Sequence, residues 1–362
     1  MENKKVIAAM SGGVDSSAAA ALLKENNYDV TGVTLRLFTN DDIQLDKSRT
    51  CCSLDDVEDA RSAANKLDID FYVFNFGERF RECVIDKFNR SYINGLTPNP
   101  CIDCNRFIKF GALLRKAEEL GQDYIATGHY VRRRYDAETG KYQLLKGLDT
   151  TKDQSYVLYG MTQAQLSKTL FPVGEMTKSE TRAIAERYGL INAHKPDSQD
   201  ICFVPDGDYA GFIESYTGRN FPEGDFVDKD GKILGRHNGI IRYTVGQRKG
   251  LGIALGVPAY VIAKDVKNNR VVLGTNDDLF TDTAYAFDVN WISGKMPEKP
   301  VRVSARVRYN QKEQPATMYP VSEDEFKVVF DAPQRAITYG QAVVCYDGEI
   351  VLGGGTCCPE IM

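Results

Sequence analysis

No stretch of this 362-residue chain is apolar for the ~18 residues that a membrane-spanning helix needs. No internal repeat or low-complexity tract interrupts it. A secretory leader is not expected either. The opening Met1-Glu2-Asn3-Lys4-Lys5 is basic, but the apolar stretch behind it breaks at Ser11-Gly12-Gly13, too early for such a signal. These absences argue against a helical membrane protein and make the cytoplasm the expected compartment. An excess of positive charge is also lacking. The formal net charge is −5, which taken alone argues against a dedicated nucleic-acid binder. Nine cysteines occur without a leader for an oxidising compartment, so a disulfide framework is not expected. Chemistry, metal binding or plain burial are what remain for them.

What is present fits a globular protein of two or three domains, with 43% apolar and 26% charged residues. Lysine and arginine cluster locally. Lys232, Arg236, Arg242, Arg248 and Lys249 form one tract without an acidic residue, and Lys299, Arg302, Arg306, Arg308 and Lys312 form another. Either tract could bind phosphates on an acidic protein or could be a solvated face.

The first part of the chain alternates strand and helix. Val6–Met10, Val30–Leu35, Phe71–Phe76 and Asp123–Thr127 read as strands. Ser16–Asn26, Ser53–Leu67, Glu78–Arg90 and Asn105–Leu120 read as helices. This order predicts a parallel sheet covered by helices. From about Asp206 the texture changes: Asp230-Gly231 reads as a hairpin turn, and glycines crowd residues 231–256. Beyond about Asn276 strands take over. In Val301–Tyr309 apolar and basic residues alternate at period 2, giving one core face and one arginine face. Further strands are expected at Phe326–Phe330 and Ala342–Tyr346. The expected architecture is an α/β domain over residues 1–205, a small mixed domain over 206–277 and an all-β barrel domain over 278–362.

Ser11-Gly12-Gly13-Val14-Asp15-Ser16-Ser17 joins the first strand to the first helix. Adjacent glycines permit positive φ and close approach of backbone amides to a ligand. The helix that follows offers free N–H groups and a dipole to phosphate. No lysine stands where a G-x-x-x-x-G-K-[ST] loop requires one. The turn resembles the S-G-G-x-D-S loop of the PP-loop ATP pyrophosphatases, which implies ATP; a tight turn with no ligand is the alternative. Ligands sit at the carboxyl ends of parallel strands, which expects Leu35 and Gly128 near the same nucleotide. His129 follows Gly128 directly, and taken alone reads more readily as structural.

Two cysteines stand apart. Pro98-Asn99-Pro100-Cys101-Ile102-Asp103-Cys104-Asn105 reads as a stiff turn leading into a helix. Cys104 is then expected at the helix N-terminus, with Arg106 and Lys109 nearby favouring its thiolate. Cys202 lies in the polar loop Asp197–Phe203. Cys83 and Cys345 read as buried small hydrophobes. Cys51-Cys52 and Cys357-Cys358 are adjacent pairs with poor metal geometry.

Over nearly the whole chain these segments resemble the tRNA-specific 2-thiouridylase family. The matching stretches are Ser11–Ser17, Asn99–Gly111, Ala126–Tyr130, Lys152–Tyr156, Ser198–Phe203 and Tyr243–Gly252. The resemblance implies a PP-loop domain, a small central domain and a C-terminal β-barrel, acting on tRNA. It implies that ATP, bound by Ala9, Met10, Ser11, Gly12, Gly13, Val14, Asp15, Ser16, Leu35 and Gly128, adenylates O2 of the wobble uridine with Mg2+ as counterion. It implies that Cys202 takes a persulfide from a donor protein and that Cys104 helps deliver the sulfur, leaving a Cys104–Cys202 disulfide. Asn99, Pro100 and Cys101 match the stretch that meets the flipped base. His129, Lys152, Asp153, Gln154, Arg308, Tyr309 and Gln341 match tRNA-contacting positions.

One position departs from the pattern. Well-known members carry aspartate where this chain has Cys101, so an acid–base role there does not carry over. Cys101, Cys104 and Cys202 could instead hold an iron–sulfur cluster with one open iron.

Overall fold

The computed structural model describes residues 3–38, 54–197, 201–204 and 206–360. The first domain is built on a sheet whose strand order is β3-β2-β1-β4-β7, parallel throughout. Its strands are β1 (Lys5–Ala9), β2 (Asp29–Arg36), β3 (Asp70–Asn75), β4 (Tyr124–Ala126) and β7 (Thr169–Leu170). Helix α1 (Val14–Glu25) lies on this sheet through Ala18, Ala19, Ala20 and Ala21, all buried. Small side chains there let the helix axis come close to the strands. Helix α2 (Leu54–Lys66) follows, then α3 at 77–93 and α4 at 100–119.

Both α3 and α4 contain π-helical stretches, Arg81–Ile85 and Cys104–Leu113. A widened turn of this kind often marks a functional segment. Helix α4 also starts earlier than its sequence suggests. Asn99 is the N-cap, its side chain accepting from the Cys101 amide at 3.1 Å, and Pro100 is the first helical residue. Proline is favoured at that place because its missing N–H has no partner to lose. Cys104 is therefore one turn inside the helix, and Cys101 occupies the N-terminal turn.

A hairpin that the sequence reading did not anticipate, β5 (Val131–Asp136) and β6 (Lys141–Lys146), leaves the first domain. It adds to the sheet of the last domain through β6 and β17. Helices α5 (Gln163–Ser167) and α6 (Lys178–Arg187) complete the first domain, each opened by a threonine capping box.

The central domain pairs α7 (Tyr209–Thr217) with strands β8 (Gly224–Val227), β9 (Ile233–His237), β10 (Tyr260–Asp265) and β11 (Arg270–Gly274), in the order β10-β11-β8-β9. The Asp230-Gly231 turn joins β8 to β9 as expected, with Gly231 at φ +84°. The last domain is a closed antiparallel barrel. It comprises β12 (Phe280–Trp291), β13 (Val301–Arg306), β14 (Gln314–Ser322), β15 (Glu325–Arg335), β16 (Ala342–Asp347) and β17 (Ile350–Cys358). The order β12-β15-β14-β13-β16-β17 is closed by pairing of β12 with β17. An apolar cluster containing Phe80, Phe88, Cys104, Ile108, Phe203, Phe212, Phe226 and Val261 packs α3 and α4 against the central domain. Among the described residues no helix is long and apolar enough to cross a membrane.

Candidate functional site

Between β1 and α1 the chain turns through Met10–Gly13. The Met10 amide donates to the Val33 carbonyl at 2.8 Å, and its own carbonyl accepts from Thr34 Oγ1 at 2.6 Å. Gly12 takes φ +75°, and a Cβ there would meet the Asp56 carbonyl oxygen at 2.4 Å. Gly13 is extended at φ −87° and caps α1 without a side-chain acceptor. Positive φ thus belongs to Gly12 alone, where the sequence suggested it for both. Ser16 Oγ donates to the Gly13 carbonyl at 3.0 Å and accepts from the Ser11 amide at 3.1 Å. The first-turn amides of α1 are left facing a glycine surface, the arrangement that receives a phosphate.

Gly128 stands directly against this turn: a Cβ on it would lie 2.6 Å from the Asp15 carbonyl carbon and the Ser16 nitrogen. The Tyr130 hydroxyl donates to Asp15 Oδ1 at 2.8 Å. Gln154 fixes this loop by accepting from the Tyr130 amide at 3.0 Å. Leu35 is the last residue but one of β2 and packs against the apolar core. His129 faces inward, with Nδ1 2.7 Å from Thr127 Oγ1 and Nε2 3.4 Å from Lys109 Nζ. Burial and the Lys109 charge hold it well below its ordinary pKa, so it is neutral.

Residues that the sequence reading missed complete the nucleotide end. Lys178, first in α6, places Nζ 2.7 Å from Asp15 Oδ1 and 2.7 Å from Asp197 Oδ1. Asp197 also receives Lys152 at 2.8 Å and Arg182 at 3.5 Å. Burial pushes the Asp197 pKa up, but hydrogen bonds from Lys152 and Lys178 outweigh it and bring the carboxyl below its usual range. Asn192 Nδ2 donates to the carbonyls of Gly12 and Gly13 and to Ser17 Oγ. Lys195 pairs with Asp56 at 2.7 Å and Asp59 at 2.6 Å. The Thr177-Lys178-Ser179-Glu180 capping box was a visible signal for the start of α6. Nothing local pointed the Lys178 amine across 163 residues to Asp15.

The thiols occupy a different environment. Cys101 is exposed in the first turn of α4, while Cys104 is buried. Burial raises the Cys104 pKa to about 11, and Lys109 only partly offsets this. The expected thiolate at a helix terminus is therefore replaced by a protonated thiol inside the helix. Arg106 is turned away, paired with Asp288 at 2.7 Å. Cys202 packs on the same apolar cluster that contains Cys104. Its neighbour Phe203 is boxed by Phe80, Phe88 and Phe212, with ring centroids 5.9, 5.2 and 5.3 Å away. Cys345 and Cys357 are buried in the barrel core. Cys51 and Cys52 lie outside the described residues, as do Ser198, Gln199 and Asp200.

The barrel meets α4 along a seam. Gln341 Nε2 donates to the Thr97 carbonyl at 2.7 Å, just ahead of Asn99 and Pro100. Tyr309 is exposed, its ring 6.0 Å from that of Tyr156. Partial desolvation against the seam, with Asp153 and Cys101 nearby, raises its pKa. Arg308 donates to the carbonyls of Val245 at 3.1 Å and Ala336 at 2.8 Å and to Thr338 Oγ1, joining the central domain to the barrel. The period-2 pattern from Val301 holds, but the arginine face is largely neutralised. Arg302 pairs with Asp331, and Arg306 with Asp153 at 3.2 Å and Glu313 at 3.3 Å. Asp153 is buried in that pair, so its carboxylate serves the domain junction.

Among the described residues no group of His, Cys, Asp or Glu side chains is arranged to hold a metal ion. Cys101, Cys104 and Cys202 thus do not form the cluster site that their spacing allowed. Mg2+ makes no such demand, since it binds through one or two carboxylates with phosphate oxygens and water. Asp15, beside the turn, is a carboxylate of that kind.

Sequence families match the chain in order. One described as "tRNA methyl transferase HUP domain" covers residues 4–206, one described as "tRNA methyl transferase PRC-barrel domain" covers 210–275, and one described as "Aminomethyltransferase beta-barrel domain" covers 281–357. The chain is 53% identical to a protein of Clostridioides difficile (strain 630) named "tRNA-specific 2-thiouridylase MnmA", over 98% of each chain. A protein of the same name in Lachnoclostridium phytofermentans is 54% identical, over 98% of this chain and 99% of that one. Another in Moorella thermoacetica is 55% identical, over 96% of this chain and 98% of that one.

Proposed function

Because the chain belongs to the tRNA-specific 2-thiouridylase family and is accordingly a sulfurtransferase, we propose that it replaces O2 of the wobble uridine of tRNA by sulfur at the expense of ATP. The observation that carries this reading is a phosphate-accepting turn in a chain that also places Cys104 and Cys202 on one apolar cluster. Some of the matching families carry the words methyl transferase. The S-G-G-x-D-S turn and the presence of Cys104 and Cys202 at one apolar cluster favour the thiolation named in the relatives.

In the proposed reaction uridine O2 attacks the α-phosphorus of ATP and pyrophosphate leaves across the first turn of α1. Residues Ala9–Ser16, Leu35 and Gly128 line the nucleotide. Mg2+, held beside Asp15, would neutralise pyrophosphate charge. Cys202 carries a persulfide received from a donor protein. Its terminal sulfur attacks C2 of the adenylated base and AMP leaves with the former O2. Cys104 then attacks the Cys202 sulfur, breaking the S–S bond to the base. A 2-thiouridine, a Cys104–Cys202 disulfide and a need for an external dithiol reductant remain.

The base must leave its stack to reach these groups. Asn99, Pro100 and Cys101 at the start of α4 are placed to meet it, with His129, Lys152, Gln154, Arg308, Tyr309 and Gln341 around the seam. Asp153, buried and paired with Arg306, belongs to the same group. The test is mass analysis of tRNA nucleosides from cells lacking the protein. Loss of the 2-thiolated wobble uridine, restored by the wild-type gene, is expected; an unchanged nucleoside profile would refute the assignment.

A further inference from the structure

The loop between β15 and β16, residues 336–341, is held along its backbone. The Ala336 amide donates to the Leu279 carbonyl at 2.7 Å, and Ala336 itself takes φ +54°. A non-glycine residue seldom adopts that conformation, and it persists where its surroundings enforce it. Here the Ala336 carbonyl accepts from Arg308 at 2.8 Å and from Thr338 Oγ1 at 2.8 Å. The Tyr339 carbonyl accepts from the Thr97 amide at 2.9 Å, and the Gly340 amide donates to the Cys357 carbonyl at 2.9 Å. Gly340, at φ +92°, lets the two segments meet: a Cβ on it would lie 2.9 Å from the Thr97 nitrogen. From this fixed loop one aromatic ring projects. Tyr339 is 46% exposed, whereas Ala336 and Thr338 are buried. Among the described residues its ring meets no other aromatic ring or cation, and its hydroxyl has no hydrogen-bond partner. A tyrosine used for packing does the reverse, as Tyr156 shows by donating its hydroxyl to the Ala342 carbonyl at 2.8 Å. We propose that Tyr339 is a stacking platform for the unpaired tRNA base next to the flipped wobble uridine.

Placement supplies the first reason. Thr97, to which the loop is clamped, is two residues from Asn99, a reach of at most roughly 7 Å of chain. In the proposed reaction Asn99, Pro100 and Cys101 meet the flipped base. Tyr339 stands at the Thr97 end of that segment, and Tyr309 stands near its Cys101 end. Chemistry supplies the second. A base that leaves its stack uncovers a face on each neighbouring base. Aromatic side chains cover such faces where single-stranded RNA is recognised. The fixed backbone supplies the third, because a tyrosine with two side-chain torsions on a rigid loop loses little freedom on contact. Stacking accepts any base, since each has a π-face. Tyr339 therefore stabilises the flipped state and leaves the identity of the neighbouring base unread.

This inference rests on the reading of tRNA as the substrate, so the experiment measures the two separately. Full-length wild type, Tyr339→Phe, Tyr339→Leu and Tyr339→Ala, each shown folded by its urea midpoint, are titrated with tRNA. The tRNA is either intact or ligated around an abasic site on one side or the other of the wobble uridine. On intact tRNA the Leu and Ala variants should bind about tenfold more weakly, and the Phe variant within about twofold of wild type. Removing the base that Tyr339 contacts should weaken wild type by a similar factor and weaken the Ala variant no further. In thiolation the loss should fall on KM, with kcat within about threefold of wild type. A Phe variant as weak as Ala, or a Leu variant as tight as wild type, would overturn the stacking and leave the tRNA reading standing. So would losses that add in full on both abasic tRNAs. Wild type that neither binds nor thiolates tRNA would overturn that reading and the stacking together.

Discussion

Around the glycine turn, Asp15, Tyr130, Lys178, Asn192 and Asp197 come from distant parts of the chain and meet through charge and hydrogen bonds. Cys104 belongs to an apolar cluster with Phe88, Ile108, Phe203 and Val261, and Lys109 is the cation whose charge reaches the thiol. The first region is held together without a ligand, by charge pairs and hydrogen bonds among its own side chains and the turn. The second holds a thiol that its apolar surroundings keep protonated. One end is polar and charge-paired, and the other is apolar and desolvated.

The comparison breaks most severely at Gly12. Valine there must take φ +75° and drive its Cβ against the Asp56 carbonyl. Pyrophosphate release should fall by more than about 100-fold, equivalent to roughly 3 kcal/mol. Gly13 has φ −87°, and a Cβ there would meet Ser11 Oγ at 3.6 Å, an ordinary contact. Gly13→Val should therefore cost less than about tenfold, crowding the ligand without straining the turn. Equal losses at the two glycines would show that the close approach at Gly12 does not hold the turn.

At the other end, Cys202→Ser should eliminate thiolation and leave tRNA-dependent pyrophosphate release within about threefold of wild type, less than 1 kcal/mol of barrier. In the proposed reaction adenylation belongs to the turn and sulfur carriage to the thiol. A folded variant that loses both activities would show that the two ends are not separable.

A smaller effect concerns pH. With a pKa of about 11 against an ordinary 9.0, Cys104 stays protonated where an unfolded thiol has ionised. The group raises stability-related proton binding in the folded state, so its contribution is intact below pH 9 and is lost as pH climbs from 9 to 11. The loss is about 1.4 kcal/mol per pH unit across that window. Cys345 and Cys357 act in the same direction, each pushed to about 12, so the measurement is the difference between wild type and Cys104→Ala in urea unfolding at pH 8 and 10.5. Alkylation of Cys104 should likewise keep rising past pH 9. A plateau near pH 8 would mean that the thiol is not desolvated in solution.

The two ends were not equally legible in the sequence. The S-G-G-x-D-S turn announces itself, since its glycines, strand and helix are all local. The ring of side chains that serves it does not, because Lys178, Asn192 and Asp197 reach the turn only through the fold. The strand–helix alternation gave the parallel sheet, yet β5 and β6 went unread, as Arg132, Arg133 and Arg134 hide the apolar alternation beneath them. At the sulfur end, Pro98 and Pro100 looked like a turn ahead of the helix. Pro100 is in fact its first residue, and this one displacement moved Cys104 from an exposed terminus to a buried interior turn. The electrostatics expected of Cys104 reversed for that reason alone.

The same displacement makes Cys101 the cysteine that stands in the first helical turn, open to solvent, with its amide capped by Asn99. An acidic side chain in that turn interacts favourably with the helix dipole, by roughly 0.3–1 kcal/mol. Cys101→Asp should therefore fold at least as well as wild type, with a slightly higher urea midpoint. Its thiolation should stay within about threefold, a barrier change below 1 kcal/mol, because in the proposed reaction Cys101 borders the chemistry and carries no sulfur. Ligation of an iron–sulfur cluster demands the opposite. Thiolate is the soft donor such clusters favour, and an aspartate oxygen is a poor replacement. Purifying both proteins without oxygen and measuring iron, inorganic sulfide and thiolation together separates the two. Metal-free wild type and an active Cys101→Asp protein would confirm that the apolar end works through Cys104 and Cys202 alone. Stoichiometric iron and sulfide in wild type, with metal and activity both lost in the variant, would show that the apolar end is organised around a ligand after all.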